Sequence, residues 1–273
     1  MIATIFFVTQ KNILTATIVY MQQRNTIYTP KTLAAHLARE HKISPISQYL
    51  REIVYGGTDG IVTTFAVVAG FNGAGAQSLV TQGFAYLPVL LFGFANLFAD
   101  STSMALGNFL SIRSNQDVYR ENKRKEQYEI ENSPEMEKEE TITILKSRGY
   151  SEKDARDMTR LYMKNKDYWL EFMMRDELAI PNPEGEKPLS TALATFVSFI
   201  LFGITPLAPY VIFQSASVPF LYSAIAAFFS LSILGFLRWQ VTKEAAIRSV
   251  GEVILLGGVS ASIAYFVGTF FRA

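Results

Sequence analysis

Two pairs of glutamates in the middle of the chain have a spacing that could serve metal binding. Glu126 and Glu129 are three residues apart, as are Glu137 and Glu140. Residues three apart share a helix face, so each pair would direct two carboxylates the same way. Helical bundles present carboxylates to divalent metal ions in this manner. A solvated charged surface also explains the spacing, because other glutamates and several lysines lie among the pairs.

Two methionines and a further glutamate follow in the same charged segment. Met173 and Met174 precede Glu177 near the end of a predicted helix. Thioether sulfur suits softer cations, whereas Ca²⁺ takes oxygen ligands. If these side chains bind a metal together, their chemistry favours ferrous iron or manganese over calcium.

A second set of polar residues lies inside apolar stretches. Asp59 stands near the front of the apolar run GGTDGIVTTFAVVAGF. A charged side chain at the middle of a bilayer costs about 2.5 kcal/mol or more. The other residues on its helix face are small or polar: Gly56, Thr63, Ala66 and Gly70. Two interpretations remain open. Either the helix packs tightly, including across a dimer, with Asp59 capping a helix end or pairing with an arginine, or Asp59 is a cation site on a permeation path.

The next apolar stretch repeats this pattern. Asn96, Asp100 and Met104 follow one another at helical spacing and share a face with small residues. The face offers an amide, a carboxylate and a thioether. A methionine in such a place more often fills a core. Beside carboxylates it is also suited to a cation softer than calcium or magnesium.

The charges of the chain are unevenly distributed. The 273 residues carry a formal net charge of +1, and between Ile53 and Ile112 only Asp59 and Asp100 are charged. Charges are dense from Arg113 to Lys187 and absent from Leu189 to Leu237. This pattern indicates a membrane protein with one soluble insertion. The neutral balance implies no nucleic-acid partner, and the lack of cysteine excludes disulfides and thiolate metal sites.

Five apolar stretches are long enough to cross a bilayer, which takes about 20 residues. They are Ile53–Phe71, Phe84–Ile112, Leu189–Phe213, Pro219–Leu237 and Val250–Phe271. The apolar start of the chain is interrupted by polar residues and lacks the basic beginning of a signal peptide, so we expect an amphipathic or disordered extension there. The predicted fold is an all-α membrane protein. Residues 1–50 form the extension, 51–112 helices one and two, 113–187 a three-helix insertion, and 188–273 helices three to five.

Lysines and arginines near the span ends predict the orientation. With five spans, all of these basic ends fall on one side: Arg51, Arg113, Arg120, Lys187, Arg238, Lys243 and Arg248. The two opposite loops, 72–83 and 214–218, carry no charge. We therefore expect the N-terminus and the insertion in the cytoplasm.

The insertion contains the signals for its own helix boundaries. The first helix continues the second span, and Ser133 followed by Pro134 predicts a new helix start. Gly149 would end that helix, and Ser151 would begin the third. The polar run NKD at 165–167 could interrupt the third helix.

Four stretches of the sequence resemble the vacuolar iron transporter family, which includes bacterial and plant membrane proteins. They are GGTDGIVTTFAVVAGF, STSMALGNFLSIRS, KEQYEIENSPEMEKEE and WLEFMMRDEL. All four lie between Ile53 and Pro183, and the layout of five spans extends the resemblance to the C-terminus. Spacing and residue types agree most specifically in the acidic insertion.

The resemblance implies a homodimer of five-span protomers with a cytosolic metal-binding domain. It places Asp59 and Met104 on a translocation path between the protomers. It assigns metal binding to Glu126, Glu129, Glu137, Glu140, Glu177, Met173 and Met174. Some members carry a glutamate where this chain has Asn96, which can ligate a cation but cannot carry a proton. Asp100, one turn further on, could replace it.

We therefore interpret the chain as a transporter that moves Fe²⁺ out of the cytoplasm by proton antiport. Some members of the family that it resembles also move Mn²⁺, which is a possible second substrate. The metal is substrate, with no permanently bound cofactor and no enzymatic activity expected. The expected partners are the lipid bilayer, divalent cations and a second copy of the chain. If the source is bacterial, we expect the protein in the inner membrane. Two alternatives remain: a metal-binding membrane scaffold without transport, and a di-iron oxidase. The oxidase usually requires Glu-x-x-His pairs, and the only histidines, His36 and His41, lie outside the insertion.

Overall fold

A computed structural model describes residues 33–36, 44–75, 86–213 and 219–271. The predicted loop 214–218, much of the predicted loop 72–83 and most of the predicted extension lie outside these residues. The chain divides into two compact units, Met1–Gln48 and Tyr49–Ala273. In the first unit, residues 33–36 and Pro45–Gln48 are helical. Within the described ranges, no residue forms a strand, in agreement with the predicted all-α class.

The described residues of the second unit form helices in close succession. They are α1 (Leu50–Gly73), α2 (Leu87–Asn132), α3 (Pro134–Ser147), α4 (Glu152–Tyr162), α5 (Lys166–Asp176), α6 (Pro188–Gly203), α7 (Ala208–Ile212), α8 (Pro219–Thr242) and α9 (Ala246–Phe270). Four of them, α1, α2, α8 and α9, are long and apolar enough to cross a membrane. These four correspond to the first, second, fourth and fifth predicted spans.

The third predicted span is divided in the structure. The apolar helix α6 has only 16 residues, and a turn separates it from the five-residue helix α7. Pro206 and Pro209 lie at this break. Proline lacks the backbone N–H that a continuous helix needs, which accounts for the interruption. At 1.5 Å per residue α6 reaches only about 24 Å, so the prediction of five spans requires α6 and α7 to cross the bilayer together.

Glycines bring α1 into close contact with α6 and α9 of the same chain. A Cβ atom on Gly60 would lie 2.4 Å from the backbone oxygen of Phe199, on α6. One on Gly268 would lie 2.2 Å from the backbone oxygen of Gly70, on α1. Both distances are too short for any other residue type. The tight packing expected around Asp59 is therefore found, and these partner helices lie within the protomer.

Helix α2 joins the apolar and the polar halves of the molecule. Its 46 residues form one continuous helix, as predicted for the passage from the second span into the insertion. At the helical rise it is about 69 Å long. Asn96, Asp100 and Met104 lie in its apolar part, and Glu126 and Glu129 lie in its polar part. One rigid element therefore carries residues from both candidate sites.

The insertion follows the predicted boundaries, and the interruption expected at residues 165–167 is present, so that the insertion has one helix more than the three predicted. Helix α3 begins at Pro134, although the preceding Ser133 makes no capping hydrogen bond with its side chain. The Ser151 side chain accepts the N–H of Asp154 at the start of α4. The predicted third helix is split into α4 and α5, because the Asn165 side chain accepts the N–H of Tyr168 and starts a separate helix. The insertion thus consists of the end of α2 and three further helices.

Candidate functional site

Three carboxyl groups from separate parts of the insertion meet at one point. Glu126 lies on α2, Glu137 on α3, and Glu177 directly follows α5. One carboxylate oxygen from each lies within 4.8 Å of the other two. Oxygen ligands at such spacing can share one divalent cation. We call these three residues the carboxylate cluster, and among the described residues it is the one group of three acidic, histidine or cysteine side chains so arranged.

Two members of the carboxylate cluster are nearly inaccessible to solvent. Glu126 is 2% exposed and Glu137 is 3% exposed, whereas Glu177 is exposed. One oxygen of each buried carboxyl group, Oε1 of Glu126 and Oε2 of Glu137, has no hydrogen-bond partner. Buried polar atoms are normally paired, because an unpaired one loses the hydrogen bonds of water. A cation bound between these oxygens would satisfy both of them.

The environment of the cluster favours its protonated state. Burial, followed by the charges of Glu177 and Glu137, raises the pKa of Glu126 to about 8. Burial and the charge of Glu140 chiefly raise the pKa of Glu177 to about 7. Burial also raises the pKa of Glu137, although the neighbouring Glu126 carboxyl opposes this shift. Like charges held this close require either protons or a cation, so protons and metal ions compete for the cluster.

The other two glutamates of the predicted set lie around the cluster. Glu129 is exposed and Glu140 is half-buried. The charge of Glu129 acts on all three cluster carboxyls, and that of Glu140 acts on Glu137 and Glu177. These two residues therefore increase the negative potential at the cluster without belonging to its closest group.

The two predicted methionine ligands lie in the hydrophobic core of the insertion. Met173 and Met174 are 0% and 1% exposed, and they pack in a cluster of buried residues that includes Trp169. The Met173 sulfur lies 3.2 Å from the hydroxyl oxygen of Thr141. The backbone oxygen of Met173 accepts the N–H of Glu177, so the two residues are one helical turn apart. Metal ligation by Met173 and Met174 stays a prediction.

Sequence reasoning did not identify Thr141 or Trp169. The indole N–H of Trp169 donates to the Thr141 hydroxyl oxygen over 2.8 Å, and both side chains are buried. Thr141 lies one turn after Glu137 and hence on the same helix face as that carboxylate. This spacing is the sequence signal that could have identified Thr141. The proximity of Trp169 has no such signal, because it depends on how α3 and α5 pack.

The acidic residues of the apolar segments also approach each other. Asp59, well inside α1, and Asp100, on α2, are half-buried and close enough for their carboxyl groups to repel each other. Asp59 therefore does not cap a helix end, and among the described residues it forms no ion pair with an arginine. Asn96 is half-buried beside an open groove of about 750 Å³ between α1, α2 and α9. Met104 is half-buried as well, one turn beyond Asp100.

Comparison with known proteins agrees with this combination of apolar helices and acidic insertion. A sequence model of the VIT family matches residues 50–269. A "Vacuolar iron transporter" of Toxoplasma gondii is 32% identical over 240 residues, covering 85% of this chain and 77% of the relative. A "Vacuolar iron transporter 1" of Arabidopsis thaliana is 31% identical over 235 residues, covering 86% and 90%. A "Vacuolar iron transporter" of Plasmodium falciparum is 32% identical over 228 residues, covering 80% and 81%. These relatives are named as transporters, in agreement with the expectation that the chain is not an enzyme.

Proposed function

The chain belongs to the VIT family, and on this premise we propose that it transports Fe²⁺, with Mn²⁺ as a second substrate, out of the cytoplasm in exchange for protons. The carboxylate cluster is the observation that carries the proposal. It brings together carboxylates from three separate segments of the insertion, and two of these carboxylates have buried, unpaired oxygens. The cluster is the site where the protein collects its substrate before transport.

The first step is an exchange of protons for metal at the cluster. With the pKa of Glu126 near 8 and that of Glu177 near 7, the metal-free cluster holds protons at neutral pH. A divalent cation replaces them and removes the repulsion among the carboxylates. Glu129 and Glu140 attract the cation electrostatically, and Met173 and Met174 supply soft ligands that favour Fe²⁺ over Ca²⁺.

The proposed topology has five crossings, with α6 and α7 together forming the third. The basic residues at the span ends support it, since Arg51, Arg113, Lys187 and Arg238 then face the same side. This side is the cytoplasm, and the insertion of residues 113–187 lies there. In a bacterial source the membrane would be the inner membrane.

The proposed path through the membrane uses Asp59, Asp100 and Met104. Asp59 and Asp100 are half-buried within apolar helices, where a carboxylate charge is costly unless a cation or a proton offsets it. Asn96 can contribute an amide oxygen but no proton, so Asp59 and Asp100 are the proton carriers. A second copy of the chain completes the path, with its own α1 and α2 opposite those of the first.

Helix α2 connects the two sites mechanically. Asp100 and Glu126 lie about 39 Å apart along this one helix, at a rise of 1.5 Å per residue. A displacement of the insertion on metal binding would therefore be transmitted directly to the path residues on α2. Loading of the cluster and opening of the path are coupled in this proposal through α2.

A metal-binding scaffold without transport is the second candidate. The position of the carboxylate cluster in the charged part of the chain, beyond the apolar part of α2, favours it, because the insertion could bind metal and signal without any flux. Liposomes containing the full-length protein and a metal-quenched dye distinguish the two functions. Transport predicts quenching on addition of Fe²⁺, with competition by Mn²⁺ and weaker competition by Zn²⁺ and Co²⁺. Metal binding in detergent without any quenching would support the scaffold.

A further inference from the structure

A threonine hydroxyl links the carboxylate cluster to the methionine behind it. The Thr141 hydroxyl oxygen lies 2.8 Å from the backbone oxygen of Glu137 and 3.2 Å from the Met173 sulfur. The indole N–H of Trp169 donates to the same hydroxyl oxygen over 2.8 Å. The Thr141, Trp169 and Met173 side chains are at most 1% exposed. This buried network joins α3 to α5 between two members of the cluster.

The Thr141 hydroxyl has one hydrogen and two acceptors within reach. A hydroxyl donates one hydrogen bond and accepts up to two, so the Trp169 N–H occupies one acceptor position and fixes the orientation of the group. The hydroxyl hydrogen can go either to the Met173 sulfur or to the Glu137 backbone oxygen. Because a second acceptor exists, the sulfur can be released without leaving a buried hydroxyl unpaired. Such an unpaired group would otherwise oppose the release.

Thr141 and Met173, which contact each other, are each one helical turn from a member of the cluster. Thr141 lies one turn from Glu137 on α3, and Met173 lies one turn from Glu177 at the end of α5. Side chains on adjacent turns of a helix face are neighbours. A thioether fixed here adds a soft donor to three hard carboxylates. Calcium takes oxygen ligands and gains nothing from the sulfur.

We propose that Thr141, oriented by Trp169, is a positioning residue that holds the Met173 thioether beside the carboxylate cluster and thereby gives the cluster its preference for transition-metal ions over Ca²⁺. The inference rests on the proposed function, because it takes the cluster to be the site that collects the transported cation. Thr141 does not touch the cation. When the cation arrives, the sulfur turns to it and the hydroxyl hydrogen goes to the Glu137 backbone oxygen.

The test compares a soft and a hard cation on the purified full-length protein in detergent. Thr141→Val removes the hydroxyl at nearly constant volume. By isothermal titration, we expect the affinity for Cd²⁺ to fall about tenfold, as is typical when a group that supports a metal ligand is lost, with no more than about a twofold change for Ca²⁺. Thr141→Ser retains the hydroxyl and should keep the wild-type ratio of Cd²⁺ to Ca²⁺ affinity. Thr143→Val is the matched control, because Thr143 is exposed and donates over 2.8 Å to the Glu139 backbone oxygen.

A double variant separates positioning from stability. Thr141→Val alone leaves the buried Trp169 N–H without its acceptor, which lowers the melting temperature. Adding Trp169→Phe removes the unpaired donor as well, which ends the hydrogen-bond penalty, while the smaller ring leaves a cavity with its own cost. We expect the double variant to melt no lower than Trp169→Phe alone while the ratio of Cd²⁺ to Ca²⁺ affinity stays reduced. A ratio that recovers together with stability would contradict a positioning role.

The remaining outcomes distinguish this inference from the proposed function. Suppose first that the wild type binds Cd²⁺ and transports Fe²⁺. If Thr141→Val and the double variant then keep the wild-type ratio of Cd²⁺ to Ca²⁺ affinity, or lose affinity equally for both cations, the inference alone is overturned. A wild type that binds neither cation, or Glu126→Gln with both affinities unchanged, excludes the cluster as the binding site. That result overturns the proposed function and the inference together.

Discussion

A carboxylate oxygen of Glu126 lies within 4.8 Å of one of Glu137, although the two residues come from different helices and are almost inaccessible to solvent. Two ionised carboxylates held this close repel each other, and a proton or a cation between them removes the repulsion. The pair is therefore stable with a proton or with a cation and is unfavourable with neither. The predictions about metal binding follow from this competition.

Removal of one cluster carboxylate separates metal binding from stability. Glu126→Gln keeps the shape and a donor for Glu137 but removes a buried ionisable group. We expect Mn²⁺ affinity to fall by more than about tenfold, because a ligand is lost. The metal-free protein should gain about 1 kcal/mol at pH 8, a rise of roughly 2–4 °C in melting temperature. Glu131→Gln is the matched control on α2, since Glu131 is exposed. A lower melting temperature for Glu126→Gln would contradict the repulsion argument.

The metal-free protein should lose stability as the pH rises toward 8. The pKa values of Glu126 and Glu177 are raised from 4.5 to about 8 and about 7. For acids with raised pKa values, the stabilisation is complete below 4.5 and is lost as the pH passes through 7 and 8. The melting temperature of the wild type relative to Glu126→Gln should therefore fall between pH 5 and pH 8. Saturating Mn²⁺ should reverse this fall. A difference in melting temperature between the two proteins that does not change with pH would contradict the raised pKa values.

Close packing of α1 against α6 should make Gly60 intolerant of a side chain. Gly60→Ala places a Cβ atom 2.4 Å from the Phe199 backbone oxygen and must push the helices apart. We expect a loss of about 1–3 kcal/mol, measured as a lower melting temperature in detergent. Gly258→Ala, on α9 with no atom within 4 Å of its added Cβ, should be neutral or slightly stabilising. Equal effects of the two substitutions would contradict the packing described for α1.

The turn that follows Glu177 contains a strained alanine. Ala179 has a φ of 52°, in the left-handed region that costs a residue with a Cβ atom about 1 kcal/mol. Ala179→Gly should therefore leave stability unchanged or raise it by up to about 1 kcal/mol, since glycine loses more freedom on folding. Gly149 has a φ of 97°, so Gly149→Ala should lower the stability of the protein by a similar amount or more. Thermal melting of both variants tests the two conformations, and a stabilising Gly149→Ala would contradict them.

The sequence predicted most of the helices but only part of the site. Helical spacing paired Glu126 with Glu129, but the two residues have equivalent spacing signals and only Glu126 is buried. The choice depends on the packing of α2 against α3 and α5, which local periodicity does not contain. The approach of Glu177 to Glu126 and the contact of Trp169 with Thr141 likewise arise from tertiary structure. By contrast, Pro206 in the apolar run was a local signal for the break between α6 and α7.

The proposed transport mechanism is tested most directly by measuring whether ion flux depends on Asp59. Wild-type and Asp59→Asn proteins are reconstituted into liposomes with an iron-quenched dye and a pH-sensitive dye inside, and Fe²⁺ is added outside. We expect Fe²⁺ entry with opposing proton movement for the wild type. For Asp59→Asn we expect loss of both signals, with Mn²⁺ binding at the carboxylate cluster unchanged in detergent. Full Fe²⁺ flux by Asp59→Asn, or wild-type flux without any proton movement, would contradict the proposed transport mechanism.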